Sequence, residues 1–260
     1  MNIICKVISN EKLTKAHEVY AMTLDAPDVV KSAQCGQFIH VKCEGFTLRR
    51  PISIADTQAE SGQLKICYEV RGNGTAWLAG RKVGDIVDII GPLGRGFDLS
   101  EMPNGGEILL AGGGIGIYPL YSVAKAFGKR AHAALGFRNG SVVNFEQEFR
   151  DTGCNVSIAT DDGSYGQKGF VTDIVREILD NDANDKSQKI KLIMTCGPKA
   201  MMRRVYEIAK ERGIACQVSL EERMACGVGA CLVCVCRING GYERVCVYGP
   251  VVDGNEVDWE

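Results

Sequence analysis

Leu109-Leu110-Ala111-Gly112-Gly113-Gly114-Ile115-Gly116-Ile117-Tyr118-Pro119 reads as a strand, a glycine turn and the start of a helix. Glycines let backbone N–H groups approach a pyrophosphate at a helix N-terminus. Pro119 suits the first helical turn, because its missing N–H needs no partner there. The run departs from the G-x-G-x-x-G pattern: counted from Gly114, Pro119 stands where the last glycine would be. A tight turn without a ligand is the plainer reading, since glycine is also the default turn residue.

Toward the C-terminus, strands at Ala131–Phe137, Val156–Thr160 and Leu192–Thr195 alternate with helical patterns at Pro119–Phe127, Phe170–Leu179 and Lys199–Lys210. Such alternation predicts a parallel sheet covered on both faces. The polar stretch from Asp180 to Lys186 reads as a solvated loop. Toward the N-terminus, the composition changes at Met102-Pro103-Asn104-Gly105-Gly106, which marks a domain boundary. Before it lie short strands with turn signals: Ile3–Ile8, His17–Leu24, Gln37–Cys43, Leu64–Val70 and Asp85–Ile90. Their spacing predicts a small antiparallel barrel with one short helix near Thr75–Ala79. The expected organisation is a barrel over residues 1–100, an α/β domain over 101–218 and a small cysteine-bearing subdomain over 219–260.

The third region carries Ala225-Cys226-Gly227-Val228-Gly229-Ala230-Cys231-Leu232-Val233-Cys234. Cys226, Cys231 and Cys234 have C-x4-C-x2-C spacing with further cysteines beyond, the ligand order of a plant-type [2Fe-2S] centre. The loop must wrap a compact anion, and Gly227, Gly229 and Ala230 let backbone N–H groups come close. A structural zinc site is the rival, but zinc usually takes two short C-x2-C-like pairs, and here only Cys231 and Cys234 form one. For the fourth ligand, Cys236 lies in an apolar run, Leu232 to Ile238, that reads as a strand. Cys246 follows the turn Asn239-Gly240-Gly241, which could fold back as a hairpin, and is preferred. Cys5, Cys35, Cys43, Cys67, Cys154 and Cys216 read as small buried hydrophobes.

The chain has 260 residues, 45% of them hydrophobic, enough for two cores and an appendage. The net charge is −2 and basic residues are not clustered, so nothing suggests nucleic acid. No apolar run reaches the ~18 residues of a membrane span. The N-terminus lacks a signal-peptide layout. Twelve cysteines without an export signal imply a reducing cytoplasm, with metal or packing roles.

Two further segments could hold phosphate or flavin. Arg49-Arg50-Pro51-Ile52-Ser53 falls on a predicted barrel strand: a fixed Arg can grip phosphate, and a Ser hydroxyl can meet a flavin ring atom. Gly72-Asn73-Gly74-Thr75 leads into a helix whose first N–H groups could seat phosphate. A solvated basic pair and an ordinary cap are the plain alternatives.

Taken together, these pieces resemble the ferredoxin–NADP reductase superfamily. Arg50-Pro51-Ile52-Ser53 matches its R-x-[YFI]-[ST] flavin motif, and Gly112–Pro119 and Cys196-Gly197-Pro198 match its nucleotide motifs. More narrowly, Glu221-Glu222-Arg223-Met224-Ala225-Cys226 through Cys236 is similar to the cluster run of the electron-transfer subunits of dihydroorotate dehydrogenase B. The Val247-Tyr248-Gly249-Pro250 tail is similar as well. The resemblance implies FAD along Arg50–Ser53, lined by Cys67-Tyr68-Glu69, with Gly74 and Thr75 at its pyrophosphate. It implies NAD(H) at Gly112, Gly113, Gly114 and Gly116, with Cys196, Gly197 and Pro198 near the nicotinamide. The implied partner is an FMN-containing catalytic subunit that oxidises dihydroorotate to orotate in pyrimidine biosynthesis, two copies of each forming a heterotetramer. No catalytic side chain beyond the flavin neighbours is implied. Asp161 or Asp162 could read the ribose hydroxyls, with an acidic turn as the alternative, and Arg138 is equally open. The rival assignment is the flavin and [2Fe-2S] subunit of an NADH-dependent ferredoxin:NADP oxidoreductase or a sulfide dehydrogenase.

Overall fold

A computed structural model describes residues 2–14, 17–100, 106–184 and 189–259 of the chain. The strands of the first half turn one face to a shared core, and buried and more exposed side chains alternate along residues 3–8. These strands are β1 (Asn2–Lys12), β2 (Val19–Asp25), β3 (Phe38–Val41), β4 (Arg50–Gln58), β5 (Gln63–Glu69) and β6 (Ile86–Leu93), with a one-turn helix α1 (Pro27–Val30) after β2 and α2 (Asn73–Ala79) after β5. They close into an antiparallel barrel in the order β1-β2-β5-β4-β3-β6. Val7, Met22, Leu24, Ile39, Leu64, Ile66 and Ile89 fill it and are fully buried. Each such side chain contributes roughly 1.5–3 kcal/mol relative to exposure.

The glycine-rich stretch follows β7 (Glu107–Gly113) and leads into α3 (Ile117–Phe127). Nearly all of β7 is buried, as expected for a central strand covered on both sides. Then come β8 (Ala131–Phe137), α4 (Glu146–Asp151), β9 (Asn155–Thr160), β10 (Gln167–Lys168), α5 (Val171–Asn184), β11 (Ile190–Cys196), α6 (Lys199–Glu211) and β12 (Ala215–Ser219). Ile108 and Leu110 pack with α3 and α4, whereas Leu109 and Ala111 pack with α5 and α6. The cysteine segment adds the hairpin β13 (Val235–Ile238) and β14 (Gly241–Arg244), a short helix α7 (Val245–Tyr248) and β15 (Val251–Asp253). Asn239 and Gly240 both have positive φ, the geometry of a type I′ hairpin turn. The sheet order is β10-β9-β8-β7-β11-β12-β15. It is parallel except for β15, which runs antiparallel to β12.

Two expectations are corrected. Asp180 to Asn184 are helical, the end of α5, because the Asp182 carboxylate accepts from the N–H groups of Lys189 and Ile190 and ties the helix to the start of β11. Leu232 to Cys234 is loop, with Leu232 at positive φ, because the chain bends around the cysteines before β13 begins. β15 returns from the cysteine segment to the sheet of the preceding region, so the two regions share a layer. The proposed boundary at Met102–Gly105 and the end of the expected loop at Asp185 and Lys186 lie outside the described residues. No helix among the described residues is long and apolar enough to cross a membrane.

Candidate functional site

At the barrel, β4 pairs with β3 so that Arg50 faces Val41, Pro51 faces His40, Ile52 faces Ile39 and Ser53 faces Phe38. Arg50 is half-buried, and its guanidinium donates only to the Leu48 and Arg49 carbonyls. Among the described residues it has no carboxylate partner. Gly74, in the first turn of α2, lies so close that a Cβ there would meet Arg50 Nε at 2.5 Å. Thr75 Oγ1 accepts from the N–H groups of Arg71 (2.9 Å) and Gly72 (3.3 Å), holding the turn. An unneutralised guanidinium against a glycine at a helix start fits a diphosphate.

Strand alternation divides Cys67-Tyr68-Glu69. The Tyr68 side chain points into the barrel, where its hydroxyl donates to Asn10 Oδ1 at 3.0 Å, so only its backbone could line a ligand there. Cys67 faces the second domain, in the apolar cluster with Ile117 and Tyr118, and burial pushes its thiol pKa well up. Lys125 of α3 meets the buried Asp56 of β4 at 3.0 Å and joins the two domains.

β7 and β11 are neighbours, yet the chain runs from β7 to β8 on one side and reaches β11 on the other. That reversal leaves a crevice at the carboxyl ends of the strands, where open α/β sheets bind ligands. Gly112, Cys196 and Ser219 stand in register there. A Cβ on Gly116 would lie 2.7 Å from Gly197 Cα, and one on Gly197 would lie 3.0 Å from Gly113 N. A Cβ on Gly113 would crowd Met201 and Pro198. The glycine turn and Cys196-Gly197-Pro198 therefore form one close-packed floor. Gly114 has φ of +56° and open space above it, room for a ligand to approach the backbone. Burial pushes the Cys196 thiol up to about 12, so it stays protonated at neutral pH. Asp162 bonds the N–H and hydroxyl of Ser164 at 2.9 and 2.6 Å, which makes it an acidic turn, while Arg138 is exposed at the end of β8.

The cysteine loop brings Cys226, Cys231, Cys234 and Cys246 together as two pairs. Cys231 lies beside Cys226, and Cys234 lies beside Cys246. Val228 and Ala230 donate N–H groups to Cys226 Sγ at 3.4 and 3.3 Å, and Cys246 N–H donates to Cys234 Sγ at 3.4 Å. Burial opposes the Cys226 thiolate, but these donors outweigh it and bring the thiol down to about 6. Burial and the neighbouring Cys234 push Cys246 up to about 12. Among the described residues no three His, Cys, Asp or Glu side chains close on a single-ion site. Two neighbouring cysteine pairs supplied with N–H donors suit a binuclear anionic cluster better than a tetrahedral zinc. Cys236 sits on β13, across from Glu243 and outside both pairs. Cys5, Cys43, Cys67, Cys154 and Cys216 are buried, Cys35 is half-buried, and all twelve cysteines are free thiols.

Sequence reasoning missed Arg244, whose Nη1 donates to Gly229 O at 2.8 Å and braces the loop. It also missed His40, which lies under Gly227. Neither belongs to a motif, and only the three-dimensional approach of β3 and β14 to the loop makes them relevant.

A barrel with an arginine held against a helix-start glycine, followed by a parallel sheet with a glycine floor at its switch point, is the architecture expected of flavin-dependent nicotinamide reductases. Residues 4–97 match the family model described as oxidoreductase FAD-binding domain. Residues 221–258 match the iron-sulfur cluster binding domain of dihydroorotate dehydrogenase B. The dihydroorotate dehydrogenase B (NAD(+)) electron transfer subunit of Shouchella clausii (strain KSM-K16) is 42% identical, over 93% of each chain. That of Bacillus caldolyticus is 41% identical, over 96% of this chain and 99% of its own. Among solved structures, an NADH-dependent reduced ferredoxin-NADP oxidoreductase superposes with a TM-score of 0.84 at 31% identity, over 99% of this chain and 90% of its own. The ferredoxin-NADP+ reductase of Plasmodium falciparum, at 15% identity and a TM-score of 0.67 over 84% and 96%, shares the fold. The chain belongs to the family of dihydroorotate dehydrogenase B electron transfer subunits.

Proposed function

We propose that this chain relays electrons between a catalytic subunit that oxidises dihydroorotate to orotate, a step of pyrimidine biosynthesis, and NAD, through a [2Fe-2S] cluster and FAD. The observation that carries the reading is the cysteine loop, in which the N–H groups of Val228 and Ala230 donate to Cys226 Sγ and that of Cys246 donates to Cys234 Sγ, packed on the flavin-motif side of the barrel. NAD carries hydride, a flavin divides an electron pair, and the cluster takes one electron at a time, so the cofactors supply the chemistry.

The protein's part is to hold and orient. Arg50 and the α2 turn at Gly74 and Thr75 would grip the FAD diphosphate, with Pro51, Ser53 and the backbone of Ile52 along the ring and Cys67, Glu69 and the backbone of Tyr68 facing it from β5. The backbone of Gly112, Gly113, Gly114 and Gly116 would carry the NAD pyrophosphate, and Cys196, Gly197 and Pro198 would place the nicotinamide end. Cys226, Cys231, Cys234 and Cys246 would ligate the cluster. No side chain is assigned as a proton donor or acceptor.

Val228, Leu232, Val233 and Val247 are exposed around the loop, an apolar surface suited to the catalytic subunit. That partner would contain FMN and assemble with this chain as a two-plus-two heterotetramer in the cytoplasm. The 31% identity to a ferredoxin-NADP oxidoreductase supports the alternative that the chain serves such an enzyme. Reconstitution tests the choice. Adding the FMN-containing dihydroorotate dehydrogenase subunit should produce dihydroorotate-dependent reduction of NAD. Activity restored only by a ferredoxin:NADP oxidoreductase subunit would reverse the assignment.

A further inference from the structure

His40 is fully buried on β3, and both ring nitrogens lack a hydrogen-bond partner; they are the buried side-chain polar atoms left unpaired among the described residues. An unsatisfied buried polar group is costly and calls for an explanation. Across the strand pair His40 faces Pro51 of the flavin motif. On its other side a Cβ at Gly227 would sit 2.6 Å from His40 Nδ1, so the first turn of the cysteine loop lies directly on the imidazole. Gly227 has φ of +71° and follows Cys226 in the chain. The peptide groups of Cys226 and Arg49 also lie beside the ring without alignment for a hydrogen bond. Just before β4, Arg49 makes a two-pronged bond to Asp88 of β6 at 3.0 Å.

We propose that His40 is a positioning residue between the two redox groups, its imidazole seating the cysteine loop on the flavin-binding strand and supplying a hydrogen bond to the cluster's surroundings. The inference rests on the cluster reading and goes beyond it. A neutral imidazole offers one donor and one acceptor, and an apolar residue of similar size would fill the space without leaving orphaned nitrogens. Hydrogen bonds around ligating sulfurs tune a cluster's potential and hold its ligands in place.

The test uses the full chain, purified anaerobically with its FAD and iron. The protein has three histidines, and His17 and His132 pair elsewhere, with Glu69 and Glu107. Ring-15N-histidine labelling therefore reports on one candidate. Pulsed EPR of the reduced cluster should show a histidine-ring 15N coupling in the wild type, lost in His40→Gln and His40→Leu. In NADH-driven stopped-flow, the ratio of cluster reduction to FAD reduction should fall at least ~10-fold in His40→Leu and recover in His40→Gln, which keeps a polar head. No ring coupling in the wild type, or an unaltered ratio in His40→Leu, overturns the proposal. If His40→Leu loses its cluster, the labelled wild type decides. Protein without iron would sink the cluster reading itself rather than this inference.

Discussion

Single side chains decide which anion each part of the surface can hold. Arg50 has no carboxylate to answer its charge among the described residues, so a phosphate gains the full benefit of a charge-assisted bond. Arg50→Ala should weaken FAD binding about 10- to 100-fold, as expected for about 1.5–3 kcal/mol, and should yield partly flavin-free protein after gel filtration. Full flavin occupancy would remove Arg50 from the site. Cys231 is exposed and lies beside Cys226. Cys231→Ala should abolish the visible absorption of the cluster while FAD remains bound, and an unchanged spectrum would reject its role as ligand. The four cysteines were legible because their spacing reflects the size of the group they wrap. His40 was not, because nothing on strand β3 says which loop will lie over it. Strand alternation was not weighed for Tyr68: with a period of two, its side chain cannot share a face with Cys67 and Glu69, and only its backbone can meet a flavin there.

At the scale of elements, function sits where strand ends meet. Gly116 and Gly197 lie on turns after β7 and β11 and touch backbone to backbone. Gly116→Ala should force these turns apart at a cost of about 1–3 kcal/mol, raising the KM for NADH about tenfold with FAD content unchanged. An unaltered KM, measured by steady-state flavin reduction, would separate the glycine floor from NADH binding. Helices α3 and α6 and strands β7, β8 and β11 could be read from the sequence because their apolar periods are strong. β12 escaped notice because polar Gln217 interrupts it. Its amide serves the link between the domains, accepting from Asp98 N–H and donating to Asp98 O, both at 2.9 Å. β15 was hidden because three residues carry no period, and only pairing with β12 makes them a strand.

Across the whole molecule, the question is how rigidly the regions are joined. The cysteine segment is tied to the sheet by β15, and the Arg95 N–H donates to Gly249 O at 2.6 Å. Barrel and sheet are clamped by the Asp56–Lys125 pair. Lys125→Met would leave the buried Asp56 carboxylate unanswered. Because Lys125 is half-exposed, solvent offsets part of the loss, so the expected cost is about 1–2 kcal/mol. Calorimetry should show a melting temperature lower by about 2–8 °C. No change would mean that the apolar contact and the Gln217–Asp98 hydrogen bonds join the domains without help from this pair. Such joins fix the path from nucleotide crevice to cysteine loop, and that path can be tested as a unit. The most direct measurement is EPR of the anaerobically purified chain after NADH is added, with iron, acid-labile sulfide and FAD assayed on the same sample. About two iron and two sulfide per FAD, with a reduced-cluster signal appearing on NADH addition, is the predicted result. FAD that bleaches in protein containing no iron, or iron that never takes an electron from NADH, would contradict the account.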